Sequence, residues 1–404
     1  MTGELKIAFV QDSLPFQGGA EKVLAAALEI YPQAPVYTLV YNREAFQGTC
    51  FAQRRIQASF IDRLPGAHKQ HRLYLPLMPL ALERFDLGSY DVVLSFSYAV
   101  AHAAPTHPGQ LHLSYIHTPM RYAWRKEFSR QVLPGYGRLP GWFLEPFLSY
   151  FRRWDTRMLK RTHHFLTNSH WMAGCIWKAY RRPADVLYPP VDIHPFAPQT
   201  PRGNYYVYTG RLVAIKRLEL VVEAFTRLGY PLLIIGEGPE RARLEALAGP
   251  NIRFSGWLPQ EQVAGWMGKA KAFVHAGEED FGIAMAEAQA SGCPVIALAS
   301  GAAPEIVRDG LSGLLFQEQN VEALCAAVEN FERHGVGWGT QQIRDGALRF
   351  DRECFQRSLE NYIREKRTAF QKLPVDGQSS TLALSYTQTK APARTSETNY
   401  GCAD

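Results

Sequence analysis

The 404-residue chain lacks the features that mark membrane-spanning, secreted or zinc-ribbon proteins. No apolar run reaches the roughly 18 residues that a membrane-spanning helix needs. The N-terminal segment MTGELKIAFVQD has no basic stretch followed by an apolar core, so it does not resemble a secretory signal. The six cysteines are scattered and none forms a CxxC pair, which argues against a zinc site. These absences favour a cytoplasmic globular protein that is long enough for two domains.

Two short motifs of nucleotide-dependent enzymes are also missing. The chain has no Asp-x-Asp, a motif that many transferases use to hold a metal ion. Gly236-Glu237-Gly238 follows an apolar run, but the third glycine of a dinucleotide fingerprint is absent. No nucleic-acid recognition motif accompanies the net charge of +6. We therefore expect no metal, no dinucleotide cofactor and no nucleic-acid partner.

The positive charge is concentrated in one stretch. Residues 121–182 contain 13 Lys or Arg and 3 acidic residues, whereas the rest of the chain has 31 and 35. Within it, residues 142–161 combine aromatic and basic side chains on a predicted amphipathic helix, an arrangement that suits an anionic membrane surface. The apolar segment YLPLMPLALERF is a second candidate for lipid contact. The alternative is an ordinary helix whose aromatic face is in the core and whose basic face is solvated.

Strand and helix patterns alternate along the first half of the chain. The run LKIAFVQD predicts a strand, and a helix is predicted from Ala20 to about Ile30 after a glycine-containing turn. This alternation predicts a parallel sheet flanked by helices. Further strands are predicted at Val36–Val40, Val92–Ser95, His112–Ile116 and His164–Thr167.

The second half repeats the alternation after the proline-rich segment VLYPPVDIHPF. Strands are predicted in NYYVYTG, PLLIIG and NIRFSG, with helices between them. The fold class is therefore α/β, with two Rossmann-like doubly wound domains. The expected divisions are an N-terminal domain over 1–190, a C-terminal domain over 191–345, a final helical segment over 346–370 and a disordered tail over 371–404.

Glu279 and Glu287 stand on a strand, turn and helix unit with the sequence HAGEEDFGIAMAEAQASGCPVIAL. The run from Ala270 to Ala276 predicts a strand, Gly282 the turn, and the helix begins at Ile283. Because that helix consists mainly of small and apolar residues, a carboxylate on it requires a partner, and a ligand hydroxyl would serve. Glu279 lies before the helix, where free backbone amides suit an anion. The alternative is an N-terminal charge followed by a solvated glutamate.

This unit resembles the signature of the retaining nucleotide-sugar glycosyltransferases of family 4, which have the GT-B fold. Asp280 departs from the glycine that is usual in the family. The string HTPMRYAW is similar to a bacterial subgroup that builds O-antigen and other surface polysaccharides, including mannosyltransferases. The matching positions are Glu279, Phe281, Gly282, Glu287, Gly292, Pro294 and Val295.

The resemblance implies roles for residues of the second domain around a cleft between the domains. Glu287 is expected to bind ribose hydroxyls, and Glu279 to hold donor-sugar hydroxyls with the amides near Phe281, Gly282 and Ile283. Arg211 and Lys216 are expected to stabilise the leaving diphosphate without a metal. A segment at Trp257 and Leu258 is expected to contact the base through backbone atoms, so uracil and guanine are not distinguished.

The resemblance also implies roles in the first domain. Gly18 and Gly19 match the family's N-terminal glycine loop, which faces the donor. His117 is expected near the anomeric carbon as a sugar-positioning residue, although a lone histidine is more often structural. Arg121 and Tyr122 are candidates for acceptor contact.

The implied function is transfer of a hexose from a UDP- or GDP-hexose to a hydroxyl of a glycan or lipid-linked acceptor. The protein would work in the cytoplasm, with peripheral attachment to the inner membrane face as an option. A sugar-nucleotide epimerase or phosphorylase of the same fold, and a carbohydrate-binding protein without activity, are the alternatives.

Overall fold

The structure is a computed structural model that describes residues 5–124, 141–334 and 338–373. Its contacts divide the chain into two compact units, with the boundary between Leu187 and Tyr188. The N-terminal unit also includes the final helix from Gln356, whereas Tyr188–Phe355 form the C-terminal unit. The tail that the sequence predicts to be disordered lies outside the described residues from position 374 onward.

The N-terminal unit contains a seven-stranded parallel sheet in the order β3-β2-β1-β4-β5-β6-β7. The central strands are buried along their whole length, as their apolar runs predict. The strands are β1 (Ile7–Gln11), β2 (Val36–Thr38), β3 (Ile56–Ala58), β4 (Val92–Ser97), β5 (Leu111–Ile116), β6 (His164–Thr167) and β7 (Asp185–Val186).

The C-terminal unit contains a six-stranded parallel sheet in the order β10-β9-β8-β11-β12-β13. Its strands are β8 (Tyr206–Thr209), β9 (Leu232–Ile235), β10 (Ile252–Gly256), β11 (Phe273–His275), β12 (Val295–Leu298) and β13 (Gly313–Phe316). Both sheets confirm the predicted α/β fold class with two Rossmann-like units.

Helices connect the strands in both units. In the N-terminal unit they are α1 (Gly19–Ile30), α2 (Ala67–Gln70), α3 (Met78–Leu82), α4 (Arg121–Trp124), α5 (Gly141–Met158) and α6 (His170–Tyr180). In the C-terminal unit they are α7 (Leu218–Leu228), α8 (Arg241–Leu247), α9 (Gln260–Lys269), α10 (Ile283–Ala290), α11 (Ala303–Ile306), α12 (Val321–His334) and α13 (Thr340–Ala347). The final helix is α14 (Arg352–Gln371). Among the described residues, no helix combines the length and the apolar character needed to cross a membrane.

Three short strands are not predicted by the sequence pattern: β3, β7 and β13. The β3 strand is partly exposed, and β7 has only two residues. Such segments become strands because a neighbouring strand offers hydrogen-bond partners. The neighbouring strand is distant in the sequence, so the local pattern of residues does not predict the pairing. The longer, fully buried strands are predicted because burial on both faces requires a continuous apolar run.

Each sheet has a point at which the strand order reverses. In the N-terminal sheet it lies between β1 and β4, and in the C-terminal sheet between β8 and β11. Ligands of open α/β sheets bind beyond the carboxyl ends of the strands at such a point. The loops after β8 and β11 contain Lys216 and Glu279, so two predicted site residues lie at the expected place.

Candidate active site

The loop between β11 and α10 carries Glu279 and depends on two glycines with a left-handed backbone. Gly282, the residue before α10, has φ of 102°, and Gly301 has φ of 66°. A Cβ atom on Gly301 would lie 2.4 Å from the carbonyl oxygen of Glu279. The same carbonyl accepts a hydrogen bond of 2.9 Å from the amide of Ala302. The backbone of Glu279 therefore packs directly against residues 301 and 302, and a side chain at Gly301 would disturb it.

Lys216 and Glu279 form a salt bridge between the loops that follow β8 and β11. Their approach depends on Gly277, because a Cβ atom there would lie 2.8 Å from Lys216 O and 3.0 Å from Lys216 Cα. The two side chains are 27% and 17% exposed. Partial burial strengthens such a pair relative to one on the open surface. The structure thus brings together the predicted diphosphate cation and the predicted sugar-binding carboxylate.

His275 is a member of this cluster that the sequence reasoning missed. Its Nε2 lies 3.1 Å from Glu279 Oε1, the oxygen that Lys216 also contacts. The imidazole is 5% exposed and lies parallel to the ring of Tyr208, with centroids 5.9 Å apart and an interplanar angle of 6°. The sequence signal that could have identified His275 is its position near the end of an apolar run that predicts a buried strand, four residues before Glu279.

The charges of the cluster keep Glu279 ionised. Burial by itself raises the pKa of its carboxyl group, but Lys216 and His275 outweigh burial and lower the pKa well below its ordinary value. Burial, together with the charge of Glu279, raises the pKa of Tyr208, so its hydroxyl stays protonated. At neutral pH the loop after β11 therefore presents a carboxylate, an acceptor for hydroxyl groups.

Glu287 lies in the second turn of α10 and is 9% exposed. The helix is buried from Met285 to Ala290, as its alanine-rich composition predicts. In the first turn of α10, the amides of Met285 and Ala286 donate to Gly282 O, so by position only the amides of Ile283 and Ala284 lack a partner within the helix. The ring of Phe281 packs in the core against Tyr188 and Phe350, so only backbone atoms of Phe281 remain for the predicted ligand contact.

The glycine loops after β8 and β9 pack backbone against backbone. A Cβ atom on Gly236 would lie 2.0 Å from Gly210 O, and one on Gly238 would lie 2.2 Å from Leu212 O. The amide of Leu212 donates a hydrogen bond of 2.9 Å to Glu237 O. These glycines therefore have a packing reason that is independent of any ligand.

The other predicted donor contacts of the C-terminal unit are more exposed. Arg211 is an exposed residue of the loop after β8. Trp257 follows β10 and is 72% exposed, whereas Leu258 is half-buried and packs against the core. No described contact joins Trp257 or Leu258 to the cluster around Glu279.

In the N-terminal unit, Gly18 and Gly19 lie at the beginning of α1, as predicted. The carboxylate of Glu21 turns back and accepts hydrogen bonds from the amides of Gly18 and of Glu21 itself. Burial raises the pKa of Glu21 to about 7. The amide of Gly18 is thus bound to a side chain of the same helix.

His117 follows β5 and is buried. Its amide donates to Ser97 O, and its carbonyl accepts from Asn168 Nδ2. Its Nε2 has no hydrogen-bond partner among the described residues. Burial and the nearby charge of Arg121 lower the pKa of His117 to about 3, so the imidazole is neutral at physiological pH.

The two acceptor candidates differ in accessibility. Tyr122 is 8% exposed and belongs to the core cluster of the unit, whereas Arg121 is partly exposed. Of the two, Arg121 has the position that a ligand reaches more easily.

Asp12, directly after β1, is a second residue that the sequence reasoning missed. Its carboxylate accepts hydrogen bonds of 2.6 to 2.7 Å from four consecutive backbone amides, and it is 1% exposed. The amides belong to residues 98–101, in the loop after β4. Asp12 therefore joins the loops of two neighbouring strands at the switch point. Its signal in the sequence was an acidic residue immediately after an apolar strand.

Within residues 5–124, 141–334 and 338–373, no group of three or more His, Cys, Asp or Glu side chains is placed to hold a metal ion. The adjacent acids Glu278 and Glu279 have different partners, because Glu278 accepts a hydrogen bond of 2.7 Å from Ser300 Oγ.

Solved structures with the same fold are glycosyltransferases and related enzymes. HepE from Anabaena, crystallised with UDP, has a TM-score of 0.66 and 16% sequence identity, over 89% of this chain and 100% of the other. Sucrose-phosphate synthase from Thermosynechococcus elongatus has a TM-score of 0.70 and 17% identity, over 91% of this chain and 100% of the other. At these identities the similarity establishes the fold, which is GT-B.

Two family models match successive parts of the chain. Residues 18–194 match the model described as Glycosyltransferase Family 4, and residues 203–333 match the model described as Glycosyl transferases group 1. The chain belongs to the GT-B glycosyltransferases of family 4. In this family member, the cluster of Lys216, His275 and Glu279 lies within the region that the second model matches.

Curated relatives of the chain include a mannosyltransferase and an inositol-phosphate glycosyltransferase. The GDP-mannose-dependent alpha-mannosyltransferase of Corynebacterium glutamicum is 36% identical over 124 residues, which are 30% of this chain and 30% of the relative. The D-inositol 3-phosphate glycosyltransferase of Mycobacterium leprae strain Br4923 is 29% identical over 187 residues, or 41% and 44% of the two chains. The chain thus matches less than half of the length of these relatives.

Proposed function

We propose that the protein is a retaining hexosyltransferase. It moves a hexose from a UDP- or GDP-hexose to a hydroxyl of a glycan or lipid-linked acceptor, in the synthesis of cell-surface polysaccharide or glycolipid. The observation that carries this proposal is the charged cluster at the switch point between β8 and β11, where Lys216 and His275 hold Glu279.

The cluster has the groups that donor binding requires. Both described contacts of the Glu279 carboxylate fall on Oε1, so Oε2 can accept from a sugar hydroxyl. The ammonium of Lys216 has three N–H donors, and one of them is directed to Glu279. The remaining donors can bind phosphate oxygens, and Arg211 can add a forked contact from the preceding loop.

In the proposed reaction, the bond between the anomeric carbon and the diphosphate oxygen breaks. The acceptor hydroxyl forms the new glycosidic bond on the same face, and its proton passes to the leaving diphosphate. Negative charge develops on that diphosphate, and Lys216 and Arg211 stabilise it in place of a metal ion. His117, neutral at physiological pH, positions the sugar without adding charge.

The names of related proteins support both nucleotides. Two curated relatives are described as GDP-mannose-dependent alpha-mannosyltransferases. HepE has been crystallised with UDP and with UDP-glucose. The identity of the nucleotide that the protein binds is therefore the first property to determine.

The test is calorimetric titration of the protein with UDP and with GDP, both in EDTA. Micromolar binding of one nucleotide, followed by transfer from the corresponding sugar nucleotide without metal, is the expected result. If a folded protein binds neither nucleotide, and added Mg²⁺ does not restore binding, the proposed function is wrong.

A further inference from the structure

The inner face of helix α5 is part of the core of the N-terminal unit. Phe147, Phe151 and Trp154 pack into the same cluster of buried side chains, and Phe151 is 2% exposed. Among the side chains of this helix that are described, from Glu145 onward, these three aromatic residues are turned inward, whereas Tyr150 is 61% exposed. For these residues the structure shows the ordinary amphipathic arrangement, and lipid contact by Phe147, Phe151 and Trp154 is not supported.

The outer face of α5 continues into the next turn as a row of cations. Arg153, Arg157 and Lys160 are exposed and follow each other at spacings of four and three residues, which places them on one side. None of the three has an ion pair or a hydrogen bond from its side chain within the described part of the chain. We call these residues the basic row.

A row of exposed leucines lies on the segment that leads into α3 and on α3 itself. Leu73, Leu77 and Leu80 are 39%, 37% and 51% exposed, and they alternate with the buried residues Leu75 and Met78. We call the three exposed residues the leucine row. Neighbouring exposed leucines are costly in water, and in soluble proteins such patches mark sites of contact with another phase or partner.

Both rows lie on the same side of the N-terminal unit. The inward side chains beneath them, including Leu75, Met78 and Phe151, join one core cluster against the same sheet. Arg161, next to the basic row, forms a salt bridge of 2.6 Å with Glu83, which follows α3. The outward faces of the two elements are therefore neighbours, one apolar and one cationic.

We propose that the leucine row and the basic row together form a docking surface for an anionic phospholipid bilayer. A bilayer presents phosphate groups above an apolar layer, and this order matches cations beside protruding leucines. A soluble anionic partner would pair with the basic row but would leave the leucines exposed. The proposal stands independently of the proposed transfer reaction, because the test measures binding to vesicles and no turnover.

The test is co-sedimentation of the whole protein with vesicles of phosphatidylcholine, alone or mixed with phosphatidylglycerol. One variant replaces the leucine row (Leu73→Ser, Leu77→Ser, Leu80→Ser), and a second neutralises the basic row (Arg153→Gln, Arg157→Gln, Lys160→Gln). Matched controls replace three exposed leucines of the C-terminal unit (Leu247→Ser, Leu311→Ser, Leu348→Ser, at 51%, 50% and 43% exposure) or three exposed cations there (Arg253→Gln, Lys269→Gln, Arg308→Gln).

The wild-type protein is expected to bind the anionic vesicles, and added salt is expected to weaken the binding. Each docking-surface variant should lose at least roughly tenfold in partition coefficient, whereas both controls should keep it. Circular dichroism, together with the single variant Leu77→Ser, guards against loss through misfolding.

Three results would overturn the proposal. The first is absence of wild-type binding to anionic vesicles, and the second is equal binding of the docking-surface variants and the controls. The third is a change of oligomeric state in the leucine variant with unchanged vesicle binding, which would assign the leucine row to contact between copies of the chain.

Discussion

The Nε2 atom of His275 lies 3.1 Å from Oε1 of Glu279, at the end of a buried strand. The contact can orient the carboxylate, because the imidazole is itself fixed by parallel packing against the ring of Tyr208. Lys216 reaches the same oxygen from the loop of the neighbouring strand. Two positively polarised groups on one oxygen leave the other oxygen of Glu279 for a ligand.

Replacement of His275 by Phe tests this orientation. The phenyl ring can retain the packing against Tyr208 but removes Nε2, so affinity for the sugar nucleotide should fall about three- to tenfold, as for the loss of one polar contact worth about 1 kcal/mol. Affinity for the nucleoside diphosphate alone should change little, because the proposed role of Glu279 is to bind the sugar and not the diphosphate. Titration with both ligands measures the difference, and His275→Gln, which restores an N–H donor, should recover part of the loss. Equal losses for both ligands would assign His275 a general structural role.

Replacement of Lys216 by Met removes the ammonium and retains most of the apolar stem. A lost charge-assisted contact is worth about 1.5–3 kcal/mol, so nucleoside diphosphate affinity should fall roughly tenfold or more. Lys269→Met, at an exposed site of the same unit, is the matched control. An unchanged affinity in the Lys216 variant would remove this residue from the diphosphate site.

The same Lys216 variant should alter the dependence of stability on pH. The pKa of Glu279 is lowered in the folded protein, so its contribution to stability is complete above its ordinary value of 4.5 and is lost as the pH falls. Without Lys216 the folded-state pKa of Glu279 rises, so the stability that Glu279 loses as the pH falls below 4.5 should become smaller than in the wild type. Urea unfolding at several pH values between 3 and 7, on wild type and variant, would measure this difference in pH dependence, and parallel curves would contradict the prediction.

The proposed role of Glu287 in ribose binding can be tested by removing either the ribose hydroxyl or the carboxylate of Glu287. Wild-type protein should bind the 2′-deoxy or 3′-deoxy form of its nucleotide about tenfold less tightly, as expected when a charged group loses a hydrogen bond. In Glu287→Ala, the nucleotide and its deoxy form should bind with similar affinity, because the partner of the missing hydroxyl is gone. Calorimetry on the two proteins with the two nucleotides gives the coupling free energy between Glu287 and the ribose hydroxyl. If Glu287→Ala still binds the deoxy form about tenfold less tightly, Glu287 does not bind that hydroxyl.

For Glu21 we expect stability to change with pH in the direction opposite to that expected for Glu279. Its pKa is raised from 4.5 to about 7 by burial, so the folded protein binds the proton more tightly than the unfolded chain does. Wild type should therefore lose about 3 kcal/mol of stability relative to Glu21→Gln as the pH rises from 4.5 to 7, and no more above it. Denaturant unfolding of both proteins across this range checks the prediction, and parallel curves would contradict it.

The sequence by itself determined the two α/β units and the place of the signature glutamates. Continuous apolar runs indicate buried parallel strands, and glycines such as Gly282 indicate the turn into a helix. These are local properties, since the alternation of side chains and the backbone preference of glycine act within a few residues. The strand and helix around Glu279 were accordingly predicted to within a few residues.

Tertiary structure decided which residues meet. Lys216 reaches Glu279 because β8 and β11 are neighbours in the sheet, although 63 residues separate them in the chain. His275 belongs to the site because the last residue of β11 turns its ring toward the loop. Likewise, the pattern of α5 predicts one aromatic and one basic face, but only packing turns Phe151 inward and leaves Arg153 outside. Strand order and the rotation of a helix about its axis depend on the whole core, and no local segment of the sequence contains that information.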